Sequence, residues 1–349
     1  MSDFLLFATE RYAQPILQPL AEALRRAGHR PYWFLAGNAR SMRLPEGERV
    51  SGVRAARALA PRAVFCAANW VPHMIPGAKV QVFHGFNVEK READRGHFRI
   101  RGLLDLYCTH GTATTGPFRE LATQHGHFAV VETGWPKLDP LFIAAPEAAR
   151  RRRDRGGKPV VLYAATFTER LTSAPHLYAT IAELVRRGDR QWLLSLHPKC
   201  APELIAQYRA LAGEHARFVE PEDLVQAERE ADLLVCDTSS VIPECVVQGK
   251  PVVTFRNRAP QSWMLDITEA SELDAAVTRA ANADAAWREA LEREVARIHP
   301  WRDGLSSERV VAATEALLRG ELGPLSPKPR NLWRKLQIRW DLRWFGPSA

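Results

Sequence analysis

Short apolar runs alternate with amphipathic helical patterns along most of this 349-residue chain. Runs of four to six apolar residues are typical of strands buried on both faces. A helix between two successive strands favours parallel pairing, because the chain must cross back before it can start the next strand. The predicted strands of the first part are 4–8, 32–36, 63–67, 80–83, 104–108 and 129–132.

A charged segment at 144–159, AAPEAARRRRDRGGKP, interrupts the alternation and is predicted to be a linker. The alternation then resumes, with predicted strands at 160–164, 192–196, 233–236 and 252–255. We therefore predict an α/β protein with two Rossmann-like domains that face each other across a cleft. The predicted parts are an N-terminal domain 1–145, a second domain 146–300, a helix packing back on the first domain at 301–325, and a basic tail 326–349.

Composition and charge exclude several classes of protein. The last 24 residues carry six basic side chains and one acidic side chain, so most of the formal net charge of +8 belongs to the tail. The rest of the chain has no nucleic-acid-binding signature, and no nucleic-acid partner is expected. The five cysteines are scattered without a CxxC pair, which argues against a disulfide framework or a zinc site and favours the cytoplasm.

Membrane-spanning and secretory segments are also not expected. No apolar stretch approaches the roughly 20 residues that a bilayer requires. The first residues, MSDFLLFATERYAQP, lack a basic region before the apolar run, so they predict a first strand rather than a signal peptide.

Polar residues that follow strands deserve the closest inspection, because ligands of open parallel sheets bind beyond the carboxyl ends of the strands. The segment 236–255, CDTSSVIPECVVQGKPVVTF, places a polar elbow between a predicted strand and a short helix, with Ser239 or Ser240 as the predicted N-cap. Hydroxyls, free backbone N–H groups and the helix dipole suit a phosphate.

Glu244, one turn after Ser240, could accept hydrogen bonds from two ribose hydroxyls. The alternative is an ordinary capped helix with a solvated Asp237. The candidate phosphate-binding residues of the elbow are Thr238, Ser239 and Ser240, with Asp237 as a possible addition.

Further candidate phosphate donors follow other strands of the second half. Thr166 and Arg170 lie in VLYAATFTER, and His197 and Lys199 lie in LLSLHPK. A histidine at a strand end can donate a hydrogen bond to a phosphate, although it can equally cap a turn. Threonines at strand ends are also common without any functional role.

The first half supplies a candidate general base. His84 ends the predicted strand 80–83, and Gly85 would allow a sharp turn or the close approach of backbone to a ligand. The unperturbed pKa of histidine lies near neutrality, which suits proton abstraction from a hydroxyl. A structural turn histidine is the alternative. Lys137, in TGWPKLDPLF, could face the cleft, but packing at the domain junction is the preferred interpretation of that segment.

In their order and spacing, these motifs resemble the CDP-glycerol glycerophosphotransferase family of teichoic-acid primases and polymerases over residues 80–312. The matching residues are His84-Gly85, Gly134-Trp135-Pro136 with Asp139, Thr166-Phe167, His197-Pro198, Asp237 with Ser239, Ser240 and Glu244, and Asp303-Gly304 with Ser307 and Arg309. The sequence departs from that family where Phe86-Asn87 follow His-Gly and where Thr168-Glu169 precede Arg170.

The resemblance implies a GT-B fold and an enzyme that moves glycerol phosphate, or a related activated group, from a CDP-type donor. The implied acceptor is a hydroxyl of a cell-surface glycopolymer or of its lipid-linked precursor. His84 would be the general base, His197, Ser239 and Ser240 would hold the pyrophosphate, and Glu244 would hold the ribose. The resemblance implies no metal and no cofactor beyond the nucleotide-activated donor.

Three alternatives remain open at this stage. The elbow followed by Gly-Lys-Pro-Val also looks like the UDP-GlcNAc 2-epimerases, which share the fold, although an epimerase needs further acid/base carboxylates in the first domain and no such set stands out. A glycosyltransferase similar to Kdo transferases is the second. A non-catalytic nucleotide-binding scaffold is the third, and the presence of His84, His197 and Ser239-Ser240 argues against it.

The tail sequence NLWRKLQIRWDLRWF, 331–345, predicts an imperfect amphipathic helix. Five apolar residues fall within about 120° of a helical wheel: Leu332, Trp333, Leu336, Trp340 and Trp344. A surface rich in tryptophan and arginine suits an anionic membrane. We therefore predict peripheral attachment of residues 326–349 to the inner face of the cell membrane. The alternative is a helix docked on the body with its aromatic side inward.

Overall fold

The computed structural model describes residues 1–85, 97–143, 157–239, 241–342 and 344. They form two compact units, one of Met1–Asp139 with Ile298–Ala349 and one of Pro140–Arg297. The predicted domain boundary at 145/146 and most of the predicted linker lie outside the described residues, as do Ser240 and Phe86-Asn87. Both the segment 301–325 and the tail belong to the first unit.

The first unit contains a six-stranded parallel sheet in the order β2-β1-β3-β4-β5-β6. Its strands are β1 (Asp3–Ala8), β2 (Arg30–Leu35), β3 (Ala63–Cys66), β4 (Ala78–Gln81), β5 (Leu106–Thr109) and β6 (Ala129–Glu132). Its helices before the second unit are α1 (Gln14–Arg26), α2 (Gly52–Ala58), α3 (Thr112–His125) and, at the junction, α4 (Asp139–Ile143). Short 3₁₀ turns occur at Arg11–Ala13, Gly37–Ser41 and Pro136–Leu138. Every residue of β3 is buried, which explains why this strand is an uninterrupted apolar run.

The second unit repeats this architecture with a parallel sheet in the order β12-β11-β10-β7-β8-β9. Its strands are β7 (Val160–Ala165), β8 (Gln191–Leu196), β9 (Ala216–Phe218), β10 (Leu233–Cys236), β11 (Val252–Phe255) and β12 (Leu265–Ile267). Its helices are α5 (Ala174–Arg187), α6 (Pro202–Arg209), α7 (Leu224–Glu230), α8 (Ile242–Val246), α9 (Leu273–Ala281) and α10 (Ala285–Ile298). Short 3₁₀ turns precede α7 and α9 at Pro221–Asp223 and Ala270–Glu272. The helix α5 ends at Gly188 with φ of +73°, a left-handed conformation that glycine adopts without strain.

The chain returns to the first unit through helix α11 (Ser306–Leu318), which packs on α1. Buried Asp139 anchors the start of α11, because its carboxylate accepts hydrogen bonds from the Ser306 and Ser307 amides, both at 2.8 Å, and from Ser307 Oγ at 2.6 Å. The side chain of His299 accepts a bond from the Trp135 amide at 2.9 Å. Two motifs that lie far apart in sequence, around 134–139 and 303–309, therefore meet in the fold.

The prediction of two parallel Rossmann-like sheets is confirmed. In each sheet the chain changes direction beside its first strand, so the topological switch points lie between β1 and β3 and between β7 and β10. Ligands of such sheets bind at the carboxyl edge near the switch point. No helix in the described part of the chain is long and apolar enough to span a bilayer.

The C-terminal helix α12 (Leu332–Asp341) docks on the first unit through Ile338, which is buried in the core of that unit. Leu342 and Trp344 pack against the same core, and the guanidinium carbon of Arg57 lies 5.8 Å from the Trp344 ring. Trp344 therefore does not share an outward face with the other apolar residues of the predicted arc. The helix ends at Asp341, so a helical projection does not place residue 344.

Candidate functional site

The candidate site of the second unit lies at the carboxyl edge of its sheet. Strands β11, β10, β7 and β8 are adjacent and parallel, so the residues that follow them emerge on one edge. The structure thus brings together three of the predicted segments, namely Thr166 after β7, His197 after β8 and the elbow 237–239 after β10.

Asp237 braces this edge from inside the protein. Its side chain is fully buried, and its carboxylate accepts hydrogen bonds from the Thr166 amide at 3.1 Å, the Ser173 amide at 2.9 Å and Ser173 Oγ at 3.1 Å. Burial raises the pKa of this carboxyl group, and the hydrogen bonds act in the opposite direction. Asp237 is therefore not solvated, as the alternative of an ordinary capped helix would have it. It ties the loop after β7 to the end of β10.

The elbow hydroxyls are held in place by backbone amides. Thr238 Oγ1 accepts a hydrogen bond from the Arg258 amide at 3.2 Å, and Ser239 Oγ accepts one from the Val241 amide at 3.3 Å. Because each oxygen accepts, each hydroxyl keeps its own proton for donation to a ligand. The N-cap of α8 is Val241, not Ser239 or Ser240 as predicted, because the helix begins at Ile242.

His197 is exposed and oriented by its own turn. Its Nδ1 accepts a hydrogen bond from the Lys199 amide at 3.1 Å, so the neutral imidazole carries its proton on Nε2. Burial and the nearby Lys199 ammonium lower the pKa of His197. The His197 ring packs at 4.3 Å from Phe167, and Lys199 Nζ lies 5.3 Å from the same Phe167 ring. His197 is therefore built to donate a hydrogen bond from Nε2.

The other predicted residues of this unit differ in exposure. Arg170 is exposed in the turn that follows β7, whereas Glu244 is only 8% exposed in the first turn of α8. The structure adds Arg258, an exposed cation after β11 whose amide donates to Thr238 Oγ1. The only sequence signal for Arg258 is its position in FRNR, directly after the predicted strand 252–255.

The candidate site of the first unit centres on His84, which is exposed beyond the end of β4. Its Nδ1 lies 3.1 Å from the carbonyl oxygen of Ala67, the residue after β3. A carbonyl can only accept, so Nδ1 carries the proton of the neutral ring and Nε2 keeps a free lone pair. The Tyr12 ring, after β1, packs against the imidazole with ring centroids 5.3 Å apart. His84 is thereby held toward the switch point of its sheet.

The backbone before His84 is unusual. Phe83, a buried non-glycine residue, has φ of +58°, and the Trp135 indole donates a hydrogen bond to its carbonyl oxygen at 3.4 Å. Such a conformation persists only where the surroundings enforce it, and it is enriched at functional sites. Gly85 was predicted to allow a sharp turn or the close approach of backbone to a ligand. Its own φ is not positive, and no described atom lies within 4 Å of a Cβ built on it. The left-handed conformation belongs to Phe83.

The side chain of Lys137, in the 3₁₀ turn Pro136–Leu138, contacts the residue that precedes this turn. It is half-buried, and its ammonium lies 5.4 Å from the Trp135 ring. This contact is consistent with the packing role preferred from the sequence.

Three further histidines lie behind His84 and are largely buried. Burial lowers the pKa of His97 and of His299 to about 4, and burial together with the nearby His97 and His299 holds the pKa of His110 well below its ordinary value. The His97 ring stacks on Phe83 at 4.7 Å, and the Phe83 ring also meets His110 at 5.5 Å. Neutral imidazoles and aromatic rings thus pack behind the candidate base His84.

These buried histidines predict acid sensitivity of the fold. Unfolded imidazoles titrate near pH 6.5, whereas His97 in the fold titrates near pH 4, so between these pH values the unfolded chain binds more protons. Stability should therefore fall as the pH drops from 6.5 toward 4, by at most about 1.4 kcal/mol per pH unit for each histidine. We expect His97→Phe to flatten this slope in urea unfolding measured across that range.

A matched control is His125→Phe, because His125 is an exposed histidine of the same unit. An equal slope for wild type and His97→Phe would show that His97 does not titrate with unfolding.

No group of three or more His, Cys, Asp or Glu side chains in the described ranges is placed to hold a metal ion. Two parallel six-stranded sheets with helices, one in each unit, are the architecture of the GT-B fold. The chain belongs to the UDP-N-acetylglucosamine 2-epimerase family, whose sequence model matches residues 100–315. No curated protein matches the sequence.

Solved structures agree on the fold. The wall teichoic acid polymerase TagF aligns with a TM-score of 0.67 and 14% identity over 93% of this chain and 90% of that chain. The UDP-N-acetylglucosamine 2-epimerase of Neisseria meningitidis, solved with UDP-GlcNAc, gives 0.56 and 13% identity over 91% of this chain and 100% of that chain. A putative UDP-N-acetylglucosamine 2-epimerase from Listeria monocytogenes aligns with a TM-score of 0.62 and 13% identity over 94% of this chain and 99% of that chain.

At these identities the likeness concerns the fold alone. The 2-epimerase family is one of the alternatives that the sequence leaves open, and the resemblance to the glycerophosphotransferases is supported only at the level of the GT-B fold.

Proposed function

We propose that this protein transfers glycerol phosphate, or a related activated group, from a CDP-type donor to an acceptor hydroxyl. The acceptor would belong to a cell-surface glycopolymer or its lipid-linked precursor. The observation that carries the proposal is the opposite tautomers of two exposed histidines. His84 presents a lone pair on Nε2, as a base requires, and His197 presents an N–H, as a phosphate donor requires.

The donor nucleotide would bind to the second unit. His197 Nε2–H and the hydroxyls of Thr238 and Ser239 are held by backbone amides, so they need little reorganisation to meet a diphosphate. Ser240 would join this set, and the cations of Arg170, Lys199 and Arg258 would balance the charge. Glu244 would accept hydrogen bonds from the ribose.

In the chemical step, His84 Nε2 would take the proton of the acceptor hydroxyl. The acceptor oxygen would then form a bond to the β-phosphorus, and the bond from that phosphorus to the bridging oxygen would break. CMP leaves with the electron pair of the broken bond, and the phosphoryl charge is stabilised by the donors around His197. With a sugar nucleotide as donor, the same oxygen would attack the anomeric carbon, and UDP would leave from a UDP-sugar or CMP from a CMP-sugar.

A second candidate function is epimerisation of UDP-N-acetylglucosamine, which the family match favours. Inverting a carbon centre requires a proton to leave one face and return to the other, so acid/base groups must flank the sugar. Glu10, after β1, and Glu132, at the end of β6, are carboxylates at the carboxyl edge of the first sheet. They accept hydrogen bonds from Asn38 Nδ2 at 2.9 Å and Thr115 Oγ1 at 2.6 Å.

One experiment separates these functions. The full chain is incubated with CDP-glycerol, UDP-GlcNAc and CMP-activated or UDP-activated sugars, each with and without a lipid-linked disaccharide acceptor, and the products are followed by NMR. Acceptor-dependent release of CMP from CDP-glycerol supports the proposal. Conversion of UDP-GlcNAc to its 2-epimer with UDP retained would replace it, and acceptor-dependent release of UDP would identify a glycosyltransferase.

The binding role of the second unit can be measured separately. We expect His197→Ala or Ser239→Ala to weaken nucleotide affinity by roughly 10- to 100-fold, since a hydrogen bond to a charged group contributes about 1.5–3 kcal/mol. Calorimetric titration with CDP and UDP measures this effect. Ser262→Ala is the control, because Ser262 is an exposed hydroxyl of the same unit. Wild-type affinity in both variants would remove the donor site from this edge.

We also propose that the enzyme works in the cytoplasm, attached peripherally to the inner face of the cell membrane. A lipid-linked acceptor would be presented there, and the basic C-terminal segment is the part of the chain suited to that attachment.

A further inference from the structure

The C-terminal helix α12 exposes a continuous apolar face. Leu332, Trp333, Leu336 and Trp340 are 72%, 78%, 47% and 75% exposed. Their spacing of one, four and eight residues places them on one side of the helix. Half of the large apolar side chains that stand exposed in the described part of the chain belong to this face, hereafter the tryptophan face. A concentration of this kind indicates an interaction surface.

The helix is attached firmly, so the tryptophan face is presented in a fixed orientation. Ile338 is 4% exposed in the core of the first unit. Before the helix, Lys328 Nζ pairs with Asp105 Oδ2 at 2.6 Å, and Asn331 Nδ2 donates to the Arg101 carbonyl at 2.8 Å. The side of α12 that contains Ile338 therefore faces the first unit, and the tryptophan face points away from it. This is the reverse of the alternative in which the aromatic side is turned inward.

Five cations lie on α12 and on the surface beside it. Arg334, Lys335 and Arg339 lie on α12, and Arg99 and Arg101 lie on the adjoining surface of the first unit. None of these five forms an ion pair with a carboxylate among the residues that the structure describes. Burial and the Arg99 charge lower the pKa of Arg334, which places those two guanidinium groups close together. Cations held near one another in this way attract an anionic partner.

We propose that the tryptophan face and these cations form a docking surface for a bilayer that contains anionic phospholipid. Indole rings favour the interface between head groups and acyl chains, and the basic side chains reach the lipid phosphates. A second copy of the chain fits less well, because a symmetric contact through this helix would set Arg334, Lys335 and Arg339 against their own copies. The inference deepens the proposed function and rests on it for its purpose, since this attachment brings the enzyme to a lipid-linked acceptor.

The test uses the full chain and sedimentation with sucrose-loaded vesicles. We expect binding to vesicles of phosphatidylcholine with 30 mol% phosphatidylglycerol, weaker binding to pure phosphatidylcholine, and loss of binding as salt screens the charges. Trp333→Ser with Trp340→Ser should lower the partition coefficient at least tenfold. Arg334→Gln, Lys335→Gln and Arg339→Gln together should lower it about 100-fold, roughly fivefold for each charge.

Point substitutions are used instead of deletion of residues 326–349, because deletion would also expose the core around Ile338. Leu305→Ser is the matched control, since Leu305 is an exposed apolar residue of the same unit outside α12 and should bind vesicles like wild type. Equal thermal unfolding of all variants shows that they are folded.

Three results would overturn the proposal. The first is no sedimentation of wild type with anionic vesicles, and the second is equal sedimentation of the tryptophan variant and wild type. The third is a dimer, detected by light scattering, that the tryptophan substitutions dissociate while vesicle binding is unchanged. We expect nucleotide affinity in solution to be independent of this surface, because the donor nucleotide would bind to the second unit. Failure of vesicle binding therefore leaves the proposed reaction standing, and failure to turn over any donor leaves the docking surface standing.

Discussion

Replacement of His84 by alanine should lower turnover by about 10²- to 10⁴-fold, the usual contribution of a positioned general base. The affinity for nucleotide should change little, because the donor nucleotide would bind to the second unit. The structural reason is the hydrogen bond from Nδ1 to the Ala67 carbonyl, which leaves Nε2 as the only ring nitrogen able to take a proton. Turnover is measured as acceptor-dependent release of nucleotide, and affinity is measured by calorimetry.

His125→Ala is the matched control, an exposed histidine in the same unit at the end of α3. His84→Gln should be as inactive as His84→Ala, because an amide can occupy the space but cannot act as a base near neutral pH. Wild-type turnover in His84→Ala would eliminate the catalytic role. A parallel loss of nucleotide affinity would mean that His84 binds the donor instead of activating the acceptor.

Replacement of Asp237 by alanine should lower the free energy of unfolding of the second unit by about 2–5 kcal/mol. The substitution leaves the Thr166 and Ser173 amides without their acceptor, and each unsatisfied donor costs about 1–3 kcal/mol, partly relieved by relaxation. Ser173 Oγ keeps its hydrogen bond with the Tyr163 hydroxyl. Urea unfolding followed by circular dichroism measures the change. Asp237→Asn should lose less, because one acceptor oxygen remains while the new NH₂ group faces a donor.

Asp223→Ala provides the comparison for this prediction, since Asp223 is an exposed aspartate of the same unit and its removal should change stability by less than about 0.5 kcal/mol. Asp237 was a possible nucleotide ligand in the sequence pattern, and the two roles give different results. If Asp237→Ala left the unfolding midpoint unaltered but greatly weakened nucleotide binding, Asp237 would be a nucleotide ligand and not a structural residue.

The sequence pattern located most strands but not their ends. The prediction for β4 extended to residue 83, whereas the strand stops at Gln81 and the chain then turns through Phe83 in a left-handed conformation. Hydrophobicity cannot distinguish a buried turn from a buried strand, and Phe83 is apolar in both. The strands β9 and β12 were not predicted, because three residues of mixed polarity carry almost no periodic signal.

The candidate site was predictable as a set of positions but not as a set of roles. His84, His197 and the elbow 237–239 all stand beyond strand ends, and parallel strands bring such positions to one edge of their own sheet. The roles came from partners. Asp237 lies in a polar elbow of the sequence, but its side chain is buried. The Arg258 amide donates a hydrogen bond to Thr238 Oγ1 in that elbow, and the local sequence does not predict this contact.

The sequence alone determined that the chain forms two parallel sheets and which polar residues stand at their carboxyl edges. Strand and helix patterns are local, and chain direction follows from their alternation. Only the tertiary structure decided that His84 is protonated on Nδ1 and His197 on Nε2, that Asp237 is buried, and which side of α12 faces outward. Each of these depends on a neighbouring atom that the fold supplies, from a carbonyl oxygen after another strand to a core that is assembled from many segments.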